Sequence, residues 1–179
     1  MIRHTSILTL VLLLAAFSPL CSQTLTVESG LMSFTGSVPL HDFTGESDSL
    51  SGQIDLTEQR FRFSLPLESL DTGIDRRDRK MYDILNTDEF PKVVFEGVIS
   101  EQPDTTFQDS QRVSVEGELS LNGQTKTESM NGIVIRKENG IRIEASFPFD
   151  YTKYGIERPG FLFYKVHEEI EVRIQAFLR

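Results

Sequence analysis

The sequence predicts an all-β protein of about eight antiparallel strands with one short helix, folded as a closed barrel or as a sandwich. Apolar and polar residues alternate in several runs, as in Phe61-Arg62-Phe63-Ser64-Leu65. The dipeptides Asn122-Gly123 and Asn139-Gly140 separate three of these runs and are typical of tight hairpin turns. Successive residues of a strand point to opposite faces, so this alternation indicates sheets with one apolar and one solvated face. It does not distinguish a barrel from a sandwich.

The predicted strands follow one another along the chain. The last run is the clearest, because its apolar residues share one face from Val166 to Leu178, opposite His167, Glu169 and Glu171. The two Asn-Gly turns join three consecutive strands into a meander. The predicted strands lie near residues 24–36, 50–57, 60–67, 92–100, 111–121, 125–137, 141–150 and 166–178.

One segment, at about residues 75–86, lacks the alternation and is predicted to form a short helix. It is rich in basic residues, with Asp75 and Asp78 interleaved among them. Two interpretations are open. In the first, the charged face is solvated and Arg–Asp pairs hold the helix to the strands. In the second, the face recognises an anionic head group, because arginine suits bidentate contacts with phosphate or carboxylate. The basic residues are Arg76, Arg77, Arg79 and Lys80.

Composition excludes several functional classes. The 179 residues include 27 acidic and 18 basic side chains, a net charge of −9, which argues against a general nucleic-acid role. The single cysteine excludes an intramolecular disulfide framework and a multi-cysteine metal site. The length fits one domain.

Residues 1–22 are predicted to be a secretory signal peptide, with Arg3 before a short apolar run and the small Ser22 at the cleavage site. The apolar run is shorter than the roughly 20 residues that span a bilayer, and no later stretch is long enough to do so. The mature domain is then 23–179, located in the periplasm or secreted. The alternative to cleavage after Ser22 is lipidation at Cys21. It is disfavoured because lipidation sites have a small residue just before the cysteine, whereas this sequence has Leu20 there.

No catalytic or metal-binding motif is present in the sequence. His41, expected in a loop, and His167 are 126 positions apart, without metal-ligand spacing. Alternation places Glu168 on the apolar face of the last strand. We expect it to be solvated at the rim or, alternatively, to guard a cavity mouth or pair with a basic residue. An acid–base centre would have to combine Glu168, His41 and Tyr154. The prediction is a non-enzyme with no cofactor and no metal.

The inward faces of the predicted strands are rich in phenylalanine. Such side chains either fill a core or line a ligand tunnel, and the pattern alone favours the filled core. The residues concerned are Phe61, Phe63, Phe95, Leu119, Phe147 and Phe149.

Three motifs, in order, resemble those of the YceI-like family of bacterial envelope proteins. The first comprises Leu70-Asp71-Thr72-Gly73-Ile74, then Arg77-Asp78, then Phe90-Pro91-Lys92-Val93-Val94-Phe95. The second is the hairpin from Val115 to Lys126, and the third is Tyr154-Gly155-Ile156 followed by the last strand. The resemblance covers about residues 24–178.

The resemblance implies a lipocalin-like eight-stranded antiparallel β-barrel with one helix, exported and not enzymatic. Its elongated apolar cavity would hold an isoprenoid or another long-chain amphiphile. The six inward residues then become candidate cavity-lining residues, and Arg76, Arg77 and Arg79 mark the head-group side. The alternative is a non-carrier, an envelope stress or assembly factor whose packed barrel acts through a protein partner. A homodimer is left open.

Overall fold

A computed structural model describes residues 24–39, 41–100, 104, 106–161 and 164–179. The predicted signal peptide, residues 1–22 with cleavage after Ser22, lies outside the described residues, as does Cys21. The described part contains one α-helix, α1 (Asp75–Leu85), and 3-10 turns at Leu67–Ser69 and Tyr151–Tyr154. The strands are β1 (Thr24–Val38), β2 (His41–Ser47), β3 (Ser51–Asp55), β4 (Arg60–Pro66), β5 (Lys92–Ile99), β6 (Ser110–Leu121), β7 (Gln124–Lys137), β8 (Gly140–Asp150), β9 (Gly160–Phe161), β10 (Tyr164–Lys165) and β11 (Glu169–Leu178).

The main sheet closes into a barrel through β1. One edge of β1 pairs with β11, and its other edge pairs first with β3 and then with β2. Strands β2 and β3 therefore share one position in the wall. The remaining order is β4, β5, β6, β7, β8 and β11, all antiparallel. The result is the predicted eight-position antiparallel barrel with one short helix. Closure leaves few unpaired edges.

Both predicted hairpins form. Asn122 and Gly123 have φ angles of 49° and 70°, the left-handed values that a type I′ turn needs at both central residues. In the second hairpin Lys137 pairs with Gly140, so Glu138 and Asn139 form the loop. The turn therefore comes one residue earlier than the Asn139-Gly140 dipeptide indicates.

Strand β2 corrects one expectation, because His41 begins a strand rather than lying in a loop. Its inward positions are Phe43, Gly45 and Ser47, which are partly or fully buried, while the residues between them are exposed. Only one of these three is a large apolar residue, so the sequence shows no alternation that predicts a strand. Gly45 stands directly opposite Phe34 of β1, whose ring occupies the space that a side chain at Gly45 would need.

The wall is incomplete between β7 and β8. Their ladder runs only from the Ile133–Glu144 pair to the Lys137–Gly140 pair, although both strands continue. Pro148 lies in the stretch of β8 that lacks this partner, where a missing N–H costs no ladder bond. The 3-10 turn after β8 fills the space, since the Asn122 side-chain amide donates to the Tyr154 carbonyl (3.0 Å) and the Tyr154 hydroxyl donates to Glu128 (2.9 Å).

Buried apolar side chains form two clusters, one at each end of the barrel. The cluster at the α1 end is the larger and includes the fully buried Tyr154. The cluster at the other end consists of Ile54, Phe61, Ala176 and Leu178. Between the clusters, most inward-facing side chains are only half-buried, which shows that the middle of the barrel is not filled.

Candidate functional site

A cavity of about 1490 Å³ occupies the barrel interior. It reaches Ile84 of α1 at one end and Leu56, Gln111 and Glu138 at the other. Small-molecule sites usually measure roughly 300–1,000 Å³, so this space suits a long ligand. Every strand from β1 to β8, together with β11, contributes to its lining.

All six residues selected from the sequence line this cavity: Phe61, Phe63, Phe95, Leu119, Phe147 and Phe149. Phe61 and Leu119 are buried, whereas the other four are half-buried although they point into the barrel. They keep this accessible surface because they border empty space instead of opposing side chains. Their contact with a ligand remains a prediction.

The phenylalanine rings lie along the wall. A Cβ atom at Gly52 of β3 would overlap the ring of Phe63, its partner on β4. Phe61 contacts Phe95 and Phe63 with ring centroids 4.9 and 6.0 Å apart, in tilted arrangements favourable for aromatic pairs. Rings that fold over a neighbouring glycine or stack on one another leave the centre of the barrel open.

Among the residues that the structure describes, charged side chains line the cavity only at its two ends. At one end they belong to α1, and at the other they belong to the β7–β8 hairpin. The wall between is lined mainly by aliphatic and aromatic side chains. An apolar channel with polar ends matches the division of an amphiphile into tail and head. The charged residues are Arg76, Arg77, Arg79, Lys80 and Asp83 on α1, and Arg136, Lys137 and Glu138 on the hairpin.

Helix α1 is fixed over one opening by residues of the motif that precedes it. The Asp78 carboxylate is buried and accepts hydrogen bonds from the Thr72 amide (3.0 Å) and hydroxyl (2.6 Å). The Tyr82 hydroxyl donates to the Leu70 carbonyl (2.6 Å), and burial, with nearby carboxylates including Asp78, raises its pKa. Asp71 accepts from the amide of Gly73, whose φ of 74° requires a glycine-like conformation. The motif thus positions the helix.

The four basic residues of α1 border the cavity without ion pairs among the described side chains. The Arg–Asp pairs considered from the sequence are therefore not formed there, and Asp78 instead binds Thr72. Arg77 lies over the ring of Phe43, 5.1 Å from its centroid. Such a cation–π contact holds the guanidinium without neutralising it.

The opposite opening is less positive. Arg136 donates through Nε to the Phe107 carbonyl (2.8 Å) and lies 4.9 Å from the centroid of that ring. Lys137 and Glu138 add one charge of each sign. The two openings differ, and the cationic one lies at α1, on the side where the sequence places the head group.

The residues considered for acid–base chemistry do not share hydrogen bonds. Glu168 is exposed, as the solvated-rim interpretation expects, and it also forms an ion pair with Arg158 at 2.9 Å, the basic partner that the alternative considered. Tyr154 is fully buried against Phe149, and burial together with its hydrogen bond to Glu128 raises its pKa. Of the three, only His41 lines the cavity. His167 is also exposed.

Within the described ranges, no group of three or more histidine, cysteine, aspartate or glutamate side chains is placed to hold a metal ion. The described helices are also too short or too polar to cross a bilayer.

Several lining residues were not selected from the sequence. Met81, Ile84 and Leu85 of α1 face the cavity, and their i, i+3, i+4 spacing is a helical signal that identifies this face. Tyr151 and Ile156 close the same end, but they follow the last predicted hairpin strand without any periodic pattern. Tyr151 donates its hydroxyl to the His167 carbonyl at 2.8 Å.

Solved structures with this fold are known. A polyisoprenoid-binding domain from Saccharophagus degradans, implicated in plant cell wall breakdown, superposes with a TM-score of 0.75 at 18% identity, covering 87% of this chain and 97% of that one. BcnA of Burkholderia cenocepacia superposes with a TM-score of 0.68 at 14% identity, covering 83% of this chain and 95% of that one. The YCEI protein of Campylobacter jejuni superposes with a TM-score of 0.51 at 10% identity, covering 80% of this chain and 79% of that one. These likenesses concern the fold.

Among curated proteins, no match to the chain is found. The family model for the YceI-like domain, by contrast, matches residues 24–178, which is nearly all of the described part. The motifs that carried the resemblance lie at the helix-covered opening and in the wall of the cavity. The chain belongs to the YceI-like family.

Proposed function

We propose that this chain is an exported binding protein that holds a polyisoprenoid or similar long-chain amphiphilic lipid, with the lipid tail inside the barrel. The observation that carries this proposal is the continuous apolar cavity of about 1490 Å³, whose described lining has charged groups only at the ends. The tail would contact the six lining residues Phe61, Phe63, Phe95, Leu119, Phe147 and Phe149. The head group would face Arg76, Arg77 and Arg79.

The energetics favour a long tail. Each buried methylene group contributes about 0.8 kcal/mol, so a tail of twenty carbons gains on the order of 16 kcal/mol before the entropic costs of binding are subtracted. Because the described lining has no charged group along the middle of the channel, the desolvation cost on the protein side is small. The similarity to a solved polyisoprenoid-binding domain supports the choice of an isoprenoid.

The alternative function, a packed barrel that acts only through a protein partner, requires an interior filled by side chains. The half-buried Phe63, Phe95 and Phe147 argue against this, because they face open volume. Export is part of the proposal and is supported by the signal-peptide pattern of residues 1–22. Intact mass of the mature protein tests it, with cleavage after Ser22 expected and a lipidated Cys21 as the contrary result.

Native mass spectrometry of the purified protein, followed by solvent extraction, tests the binding function. We expect one lipid per chain, either co-purifying or acquired when geranylgeraniol is added to protein stripped of lipid. The same spectra report whether the protein is a monomer or a homodimer. Protein that is empty on purification and takes up no added prenyl alcohol contradicts the proposal.

A further inference from the structure

One edge of β7 lacks a strand partner over half of its length. The ladder between β7 and β8 begins only at Ile133, so residues 125–131 pair with β6 alone. The 3-10 turn in this gap is tied to β7 and its hairpin by side chains, through the Asn122 amide and the Glu128 carboxylate. Among the described residues, no main-chain group outside β6 bonds to the main chain of residues 125–131. An open strand edge of this kind is a template for another strand.

The hairpin geometry determines which main-chain groups face the gap. Leu121 and Gln124 flank a two-residue turn and form a hydrogen-bonded pair, and successive residues of a strand then direct their main-chain groups to opposite sides. Even-numbered residues of β7 bond toward β6, as Arg136 does in donating to the Asp109 carbonyl just before β6. The odd-numbered residues direct their N–H and C=O groups into the gap, and all four are exposed: Thr125, Thr127, Ser129 and Asn131.

The two sides of the gap differ in how well they can accept a strand. On β8, Pro148 occupies a position whose main-chain groups face the gap, and its missing N–H blunts that edge. On β7, residues 125–131 contain no proline, and the threonines at 125 and 127 favour extended backbone. The open groups of β7 are therefore suited to strand pairing, whereas those of β8 are not.

Two charged side chains of this edge are available to a partner. Lys126 and Glu128 are two residues apart, so they lie on the same face of β7. Lys126 is exposed and forms no ion pair among the described side chains. Glu128 accepts one hydrogen bond, from the Tyr154 hydroxyl, and a carboxylate can accept several. The edge therefore presents one charge of each sign.

These charges make the edge complementary to itself in one register. In an antiparallel pair of two copies, the odd-numbered residues must lie opposite one another to exchange main-chain hydrogen bonds. A twofold axis at Lys126 or at Glu128 places like charges directly opposite, which is destabilising. An axis at Thr125 or at Ser129 brings no opposite charges together. An axis at Thr127 places Lys126 of each copy opposite the second copy's Glu128, and it also pairs the hydroxyls of Thr125 and Ser129.

We propose that this chain forms a homodimer in which the β7 edge pairs antiparallel with the β7 edge of a second copy, centred on Thr127. The dimer joins the two β6–β7 sheets into one continuous sheet. The paired edge is only four exposed residues long, so the dimer is weak, with a Kd of about 1–100 μM. The proposal does not depend on which lipid, if any, occupies the barrel.

The first test measures the oligomeric state of the purified protein by sedimentation velocity across the micromolar range. The test variant is K126E, and the matched control is K92E, which makes the same charge change at an exposed lysine of β5 that does not line the cavity. Wild-type protein shifts from monomer to dimer with concentration. K126E turns two attractive pairs into two repulsive ones and raises the Kd at least about tenfold, whereas K92E stays within about twofold of wild type. Thermal unfolding shows that each variant is folded.

The second test fixes the register by cross-linking. In the proposed dimer the two Thr127 Cα atoms lie about 5.5 Å apart, within the range that a disulfide spans. Glu118, the exposed partner of Thr127 on β6, is separated from its own copy by three strand spacings, about 14 Å. Oxidised glutathione is therefore expected to link T127C into covalent dimers and to leave E118C monomeric on a non-reducing gel. Wild-type protein, whose one cysteine is Cys21, is the blank.

Three results overturn the proposal, and each leaves the lipid-binding function intact. The first is wild-type protein that stays monomeric at several hundred micromolar. The second is a folded K126E protein that dimerises as tightly as K92E. The third is cross-linking of E118C as fast as that of T127C, because the copies then meet by random collision or through another surface.

Discussion

Replacement of Ala145 by tryptophan tests whether the cavity is the ligand site. Ala145 is an inward-facing residue of β8 that lines the cavity. Gly132 lies beside it on the adjacent strand β7, and a Cβ atom at Gly132 would be 3.7 Å from the Cβ of Ala145. Two small residues side by side leave room for an indole ring to enter the cavity. Because the ring occupies empty space, we expect the fold to tolerate it, in contrast to overpacking of a filled core.

The expected loss of affinity follows from the area that the ring takes from the ligand. An aromatic side chain buries about 150–250 Å², and at roughly 25 cal/mol per Å² a tail deprived of 150 Å² loses about 4 kcal/mol. This corresponds to an increase of roughly 500-fold in the Kd for geranylgeraniol.

The control is Ser146→Trp, which places the same ring on the exposed outer face one residue away. Calorimetric titration gives both Kd values, and thermal unfolding shows whether each variant is folded. A folded Ala145→Trp protein that binds geranylgeraniol as tightly as wild type would refute the reasoning, because the lipid then occupies some other surface.

Three further predictions concern the parts that shape the cavity. Tyr154→Phe removes the hydroxyl that donates to Glu128, and we expect a loss of about 1–3 kcal/mol in the free energy of unfolding, measured by urea denaturation. Asp78→Ala removes the acceptor of both Thr72 hydrogen bonds and is expected to cost about 1–3 kcal/mol, whereas the exposed Asp75→Ala changes stability by less than about 0.5 kcal/mol. Burial raises the pKa of Tyr82, Tyr151 and Tyr154, so their hydroxyls stay protonated to a higher pH in the folded state than in the unfolded state. Their contribution to stability is therefore complete below the unfolded pKa of about 10, and it is lost as the pH rises from there through the folded pKa. Tyrosinate absorbance of folded and urea-unfolded protein checks the last prediction, which a shared midpoint near pH 10 would contradict.

Much of the barrel could be predicted from the sequence because its inward faces are marked by alternation. The runs from Val113 to Leu121 and from Ile141 to Phe149 each point one face into the cavity, as their pattern indicates. The short helix also lies where the alternation stops. Strand β2 escaped prediction because its inward positions include Gly45 and Ser47, which carry no apolar signal.

The open interior could not be predicted from pattern, which favoured a filled core. Whether a phenylalanine crosses the barrel or lies along the wall depends on which residue stands opposite it. Phe63 is opposite Gly52, and Phe34 is opposite Gly45, and these pairings require the strand register. The position of α1 over one opening is likewise set by tertiary contacts, such as Tyr82 to the Leu70 carbonyl, that join distant residues.

Tyr154 shows the limit of reading chemistry from residue type. As a tyrosine near the closing motif it was a candidate for acid–base work, but it is fully buried and completes the wall where β7 and β8 separate. The sequence shows no sign of that separation apart from Pro148, which is unusual inside a strand.

A crystal structure of the protein loaded with geranylgeraniol tests the central claim most directly. The account predicts elongated electron density along the barrel axis, in contact with Phe63, Phe95 and Phe147, with its hydroxyl end at α1. A barrel interior without ligand density, in crystals where the lipid is bound on the outer surface, would contradict it.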